Sequence, residues 1–204
     1  MKILELFSGT ESFSKVARER GHEVFTIDNN PHFNPDLCKD ILDVTIEDIP
    51  FIPDVVWASP PCTFFSVASI STHWNKDNTP KSKNAELGIE IVKKTMELIK
   101  ELLPKFIFIE NPRGKLRKLD LIDLPRETVC YCRYRDTRMK PTDIWNNSKN
   151  WKPIKKMCFN GCEDHEAAPR GFKTGTQGLK GNKERSVVPR ELCLEIIKSC
   201  EGSK

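Results

Sequence analysis

The sequence predicts an α/β fold: a single domain on a doubly wound, mostly parallel sheet. Three observations carry this reading. Short apolar runs alternate with helix-patterned stretches through the first half of the chain. The first run breaks at a glycine turn, Ser8-Gly9-Thr10, that opens into a helix pattern. Residues capable of chemistry, namely Asp28, Pro60–Cys62 and Glu110–Asn111, fall at the ends of successive runs. Open α/β sheets bind their ligands at such ends. A length of 204 residues suits one compact domain and hardly two.

Ile3–Phe7 reads as a buried strand, and Ser12–Arg20 as a helix closed by Gly21. Glu23–Ile27 is a second strand ending at Asp28, and Leu37–Ile41 a short third. Asp54–Ala58 is the fourth and runs into Pro60-Pro61. Residues 66–84 are polar and irregular, which predicts a mobile loop that could act as a lid. Ala85–Leu103 is the clearest helix, with Val92, Met96, Ile99 and Leu103 on one face and Pro104 ending it. Phe106–Ile109 is a fifth strand, running into Glu110-Asn111-Pro112. Thr128–Tyr134 and Thr142–Trp145 read as two later strands, and Pro189–Cys200 as a last amphipathic helix.

Charged residues make up 30% of the chain and hydrophobic ones 38%, a globular rather than a disordered profile. No apolar run approaches the roughly 20 residues of a membrane-spanning helix. The apolar start is too short for a signal peptide, so the expected location is the cytoplasm. Eight cysteines do not read as a disulfide framework, because two lie in or near helix and strand patterns and one in a Pro-Pro-Cys turn. Residues 146–190 hold ten Lys or Arg against four acids, a net of +6, which leaves −2 for the rest of a chain of formal charge +4. Such a segment predicts contact with a polyanion, although a solvated lysine-rich surface would look the same.

Leu6-Phe7-Ser8-Gly9-Thr10 sets a strand, a tight turn and a helix N-terminus in line, a cradle for a nucleotide-like cofactor. Asp28 follows about 20 residues on, the spacing at which such folds hold a ribose hydroxyl pair. Asp40-Ile41 would offer an acceptor to an adenine amino group and an apolar wall to its ring. Asn29 and Pro60, at the same strand ends, complete the cofactor-side candidates.

Ala58-Ser59-Pro60-Pro61-Cys62 is a rigid turn after a buried strand, able to present the thiol of Cys62 outward. A thiolate adding to carbon 6 of cytosine makes carbon 5 enamine-like and able to take a methyl group. That route needs an acid at ring nitrogen 3. Glu110, beside Asn111 at the next strand end, is the candidate, and a raised pKa would let it donate.

With these residues assembled, the chain resembles the DNA cytosine-5 methyltransferases over roughly residues 3–145 and a piece near 181–197. Leu6-Phe7-Ser8-Gly9 is similar to their cofactor loop, Asp28 to the acidic ribose ligand, and Asp40-Ile41 to the adenine-contacting pair. Pro61-Cys62 with Phe65-Ser66 is similar to the nucleophile motif, and Glu110-Asn111 to the Glu-Asn-Val motif with Pro112 in place of valine. The resemblance implies a class I methyltransferase fold (Rossmann-like), S-adenosylmethionine as cofactor, and DNA as partner. It is to short, phage-type members, which implies the cytoplasm of a bacterium or phage-infected cell.

The chain departs from the family pattern in three places. The Gln-x-Arg-x-Arg motif is degraded: aligned on Tyr134, Lys140 stands where an arginine contacts cytosine oxygen 2, with Arg133 and Arg135 as competitors. The Gly-Asn-x-Val motif survives as Gly181-Asn182 and Ser186-Val187-Val188-Pro189. In place of a target-recognition domain stands a basic glycine-rich insertion, residues 146–185. It contains Cys158, Cys162 and His165, a spacing compatible with zinc, with Cys130 or Cys132 able to complete a tetrahedral set. Trp145 and Trp151 read as packing residues that could alternatively stack on bases.

Other readings of these residues are an amino-methyltransferase, which Ser59-Pro60-Pro61 half resembles, a non-catalytic nucleic-acid or cofactor-binding module, and an enzyme acting on RNA or free cytidine nucleotides. Cys62 with Glu110 argues against the first.

Overall fold

The computed structural model describes residues 1–155, 157–159, 161–166 and 181–202. Lys156, Asn160 and residues 167–180 of the basic insertion lie outside the described residues. The elements run β1 (Lys2–Leu6), α1 (Ser12–Glu19), β2 (Glu23–Asp28), β3 (Leu37–Cys38), β4 (Val55–Ala58), α2 (Ile70–His73), α3 (Lys83–Leu102), β5 (Phe106–Pro112), β6 (Arg126–Cys130), β7 (Pro141–Asn146), α4 (Asn182–Ser186) and α5 (Arg190–Glu201).

The sheet has the order β3-β2-β1-β4-β5-β7-β6. β3 to β5 are parallel, while β7 runs antiparallel to both β5 and β6. Chain order reverses between β1 and β4, so the crevice at their carboxyl ends is where the topology places a ligand. The doubly wound, mostly parallel sheet expected from the sequence is therefore present, with a reversed strand near one edge.

Alternation along the strands divides the core into two layers. Ile3, Val55, Trp57, Phe106 and Phe108 face α1 and α5, where Phe13 stacks on Trp57 at 4.6 Å between ring centroids. Leu4, Leu6, Val56, Ala58 and Ile109 face the other way and pack with Val92, Met96 and Ile99 of α3. Glu5 is one of the buried charged residues of the sheet, on the α1 side. Its carboxylate accepts from the backbone N–H of Ser14 at 2.8 Å, in the first turn of α1. Burial lifts its pKa to about 7.

Four local readings change. The third strand stops at Cys38, because Asp40 caps a 3-10 turn over Ile41–Asp43 by accepting from the N–H of Leu42. β5 extends to Pro112, because β7 pairs with its last residues, Glu110 opposite Ile144 and Asn111 opposite Asp143. β6 ends at Cys130, and a 3-10 turn over Tyr131–Tyr134 replaces the rest of the expected strand.

Residues 66–84 are not an open loop. Trp74 is buried there, stacks on Phe65 and donates its indole N–H to the carbonyl of Phe64 at 2.7 Å. Lys115, itself buried, donates to Asn78 Oδ1 at 2.8 Å and sits over the Trp74 ring.

Candidate active site

The turn after β1 is built from left-handed residues. Phe7 and Glu11 adopt φ of 59° and 54°, and Gly9 46°. Such angles in non-glycine residues carry local strain, which clusters at ligand-binding sites. The turn is tied to β2 by the Ser8 N–H donating to the Ile27 carbonyl at 3.1 Å. Asp28 then clamps it, one carboxylate oxygen accepting from Gly9 N–H and the other from Asn30 N–H, both at 2.9 Å. Asn29 reaches Asp40 at 3.4 Å, which links the ends of β2 and β3. Thr10 shares a hydrogen bond with Ser12 at the start of α1.

Ile41 is buried in the α3-side core, where its packing anchors Asp40. Ser8 Oγ is buried with no hydrogen-bond partner among the described residues. An orphaned hydroxyl beside a strained glycine turn fits a polar ligand, and an open cleft lined by Gly9, Thr10, Glu11, Lys15, His32, Phe33 and Lys183 adjoins it.

The Pro-Pro-Cys turn lies one strand away. Pro60 is buried, and its carbonyl accepts from the Asn111 side chain at 2.9 Å. Cys62 is half-buried and opens a 3-10 turn, its carbonyl accepting from the N–H groups of Phe65 and Ser66. The far end of this turn rests on the segment after β5. Phe65 O accepts from Lys115 N–H at 2.7 Å, and a Cβ on Gly114 would stand 2.2 Å from the same oxygen. Only glycine permits that approach. The Pro-Pro-Cys and Glu-Asn motifs are thus held as one unit.

Glu110 is 5% exposed and accepts from the hydroxyl of Tyr131 at 2.9 Å. Burial, and then the Glu110 carboxylate, raises the Tyr131 phenol well above its ordinary value, so it remains a donor. Burial also pushes the Cys62 thiol up. The Lys140 ammonium acts against that shift, Glu110 adds to it, and Arg185 lowers it again.

Of the three candidates for the degraded arginine motif, Lys140 is the one whose charge reaches Cys62. It lies over the Tyr131 ring at 4.7 Å and donates to the Arg185 carbonyl at 3.0 Å. Arg133 turns away to Asp164 and Cys162. Arg135 is exposed and pairs with Glu191. Arg138 is buried and straps the chain ahead of α5, donating to the carbonyls of Glu184, Arg185 and Val187.

Tyr131, Gly114, Lys115 and Arg185 are site-forming residues that sequence reasoning passes over. Tyr131 falls inside an expected strand, and the others carry no motif. Cys158, Cys162 and His165 come together with Cys132 in one cluster. Trp145 and Trp151 are buried in the two core layers, in keeping with packing.

Comparison with known proteins places these features in context. Residues 1–120 match the model of the C-5 cytosine-specific DNA methylase family. A protein of Frog virus 3 (isolate Goorha), named "Probable DNA (cytosine-5)-methyltransferase", is 32% identical over 98% of this chain and 100% of its own length. Among solved structures, a prophage-encoded protein described as a DNA modification methyltransferase (E. coli) aligns with 19% identity and a TM-score of 0.49, over 72% of this chain and 46% of that one. A Spodoptera frugiperda DNMT2 variant aligns with 18% identity and a TM-score of 0.45, over 76% and 53%. The chain spans about half the length of these two solved proteins. The family match over more than half of the chain, with a relative aligned end to end, leads to one statement: the chain belongs to the C-5 cytosine-specific DNA methylase family.

Proposed function

We propose that this protein transfers a methyl group from S-adenosylmethionine to carbon 5 of cytosine in DNA, through an adduct with the thiolate of Cys62. The observation that carries the reading is the joining of the two motifs. Asn111 ties the Pro60–Cys62 turn to the strand that presents Glu110, and the thiol feels the charges of both Glu110 and Lys140.

The residues fit the cofactor: Ser8, Gly9, Asp28, Asn29 and Asp40 would hold it at the β1 and β2 ends, with Phe7 and Thr10 bordering the turn. When bound, it would supply an electrophilic methyl group from its sulfonium and be left as a neutral thioether. The protein's own groups do the rest. A cytosine turned out of its duplex would lie between Cys62 and Glu110. Cys62 sulfur bonds to carbon 6 while Glu110 protonates nitrogen 3, so the ring's electrons collect at carbon 5. Once carbon 5 holds the methyl group, loss of its proton to solvent, return of the nitrogen 3 proton to Glu110 and departure of the Cys62 thiolate restore the ring. Lys140 and Arg185 favour the thiolate, and Tyr131 orients the Glu110 carboxyl.

The test is incubation with methyl-labelled S-adenosylmethionine and duplex DNA, RNA or dCMP. Label at cytosine carbon 5 of DNA is expected. Label on the exocyclic nitrogen would reject the thiolate route, and label only in RNA or dCMP would reject DNA as substrate.

A further inference from the structure

Cys132, Cys158, Cys162 and His165 offer one ligand atom each, all within 4.8 Å of one another. Cys158 Sγ stands 3.5 Å from His165 Nδ1. A tetrahedral zinc centre, with Zn–S of about 2.3 Å and Zn–N of about 2.0–2.1 Å, sets its ligand atoms roughly 3.5–3.8 Å apart, so the cluster needs only a small contraction. Cys132 and Cys162 are buried, while Cys158 and His165 are half-buried.

We propose that these four residues bind one structural zinc ion that fastens the loop over 158–165 to the 3-10 turn after β6. Four protein ligands close the tetrahedron and leave no position for a reacting water, which marks a structural rather than a catalytic metal. Binding releases the three thiol protons and leaves a centre of net charge −1, from three thiolates, a neutral imidazole and a divalent ion.

The surroundings fit that charge. The Arg133 guanidinium donates to Cys162 Sγ at 3.8 Å and pairs with Asp164. An N–H donor on a ligating sulfur is the kind of outer partner metal sites use to orient their ligands. The loop is also tied back beyond the cluster, Glu166 N–H donating to the Thr137 carbonyl at 3.0 Å.

The geometry separates the two cysteines that the sequence left as alternatives. Cys130 ends β6 and lies 3.5 Å from Cys132 Sγ, but Cys132 is the one that shares the ligand cluster. Cys132 follows Tyr131 in the same turn, and Tyr131 holds Glu110. The metal would therefore fix, through one turn, both a part of the basic insertion and Tyr131, the hydrogen-bond partner of Glu110. The proposal stands apart from the methyl-transfer reading, because none of its observations uses Cys62 or the cofactor turn.

Elemental analysis of the full-length protein, purified under reducing conditions, should find one zinc per chain. Replacement by cobalt(II) should give the visible bands of a tetrahedral thiolate site. Cys162→Ser and His165→Ala should lose the metal. His165→Cys should keep it, which separates loss of a ligand from loss of fold. Cys130→Ala and the exposed Cys38→Ser should keep full zinc. Reduced wild-type protein that takes up neither zinc nor cobalt overturns the proposal, as does a disulfide among Cys132, Cys158 and Cys162. Loss of zinc in Cys130→Ala with retention in Cys132→Ala overturns the ligand set. Methylation is not the readout, so this proposal can fail while the proposed function stands, and the reverse.

Discussion

Asn111 donates its side-chain amide to the carbonyl of Pro60 at 2.9 Å, across the boundary between β5 and the Pro-Pro-Cys turn. Both residues are buried, so no water replaces the bond when it is lost. Asn111→Ala should cost about 1–3 kcal/mol of stability, the penalty of an unsatisfied buried carbonyl. It should also lower kcat by an order of magnitude or more, since small misplacements of a nucleophile are expensive. Cofactor affinity should fall far less than turnover, because Gly9, Asp28 and Asp40 lie at the ends of other strands. Turnover equal to wild type would show that Pro60 needs no such tie.

Lys140 is the strongest charge acting against the upward shift of the Cys62 thiol. Its removal in Lys140→Met should raise the thiol further. The thiolate is the attacking form, so the rate of adduct formation rises with pH through the thiol's titration. That rise should move to higher pH in the variant, and Lys140→Arg should restore part of it. Trapping on DNA containing 5-fluorocytosine, followed across pH, measures the shift. A superimposable profile would remove Lys140 from the account.

Asp28 clamps the β1 turn through Gly9 and Asn30, and in the proposed reading its remaining lone pairs would serve a ribose hydroxyl pair. Asp28→Ala should weaken S-adenosylmethionine binding by about 1.5–3 kcal/mol, the range for hydrogen bonds to a charged partner. Calorimetry on folded protein reads this directly. Asp28→Asn should lose less, since it retains one acceptor for the turn. Equal affinity in all three proteins would mean that the acid serves the turn alone.

Glu5 holds its proton in the folded state to about pH 7, against 4.5 for an ordinary glutamate. The folded form therefore binds more protons than the unfolded form between those values. Stability from this group is highest below pH 4.5 and declines as pH rises to 7, by about 3 kcal/mol at the scale of 1.36 kcal/mol per unit. Glu5→Gln keeps an acceptor for Ser14 N–H and removes the titration. The melting-temperature difference between variant and wild type should grow in the variant's favour from pH 5 to pH 8. A constant difference would mean that Glu5 is ionised throughout.

The parallel half of the fold and both site motifs were legible because they depend on local patterns. Apolar runs mark β1, β2, β4 and β5, and the Pro-Pro-Cys and Glu-Asn pairs end two of them. What the sequence hid depends on partners far along the chain. Glu110 reads as lying beyond its strand until β7 pairs with it, and nothing local announces that pairing. The segment 66–84 looks loose because its anchors, Phe64 and Lys115, belong to other segments. Tyr131 sits in a stretch of strand-like composition, yet the chain turns there and delivers its hydroxyl to Glu110. Lys140 was found by motif alignment, whereas Arg185 belongs to a degraded stretch that names no partner.

The strap made by Arg138 has a consequence for how such a protein can change. With Val188 N–H also donating to Ser12 Oγ at 3.1 Å, the chain ahead of α5 is fastened to the catalytic sheet, just as its departure point is fastened at the end of β7. Between these two ties the chain is held again, by Trp151 in the core and by Glu166 N–H on the Thr137 carbonyl. The entropy of closing a flexible excursion grows only with the logarithm of its length, about 0.6 kcal/mol for each doubling. Changes of length between Glu166 and Gly181, beyond these ties, should therefore leave Cys62 and Glu110 nearly undisturbed. Such an architecture would let that stretch be rebuilt over generations while the strand ends that carry Cys62 and Glu110 stay as they are.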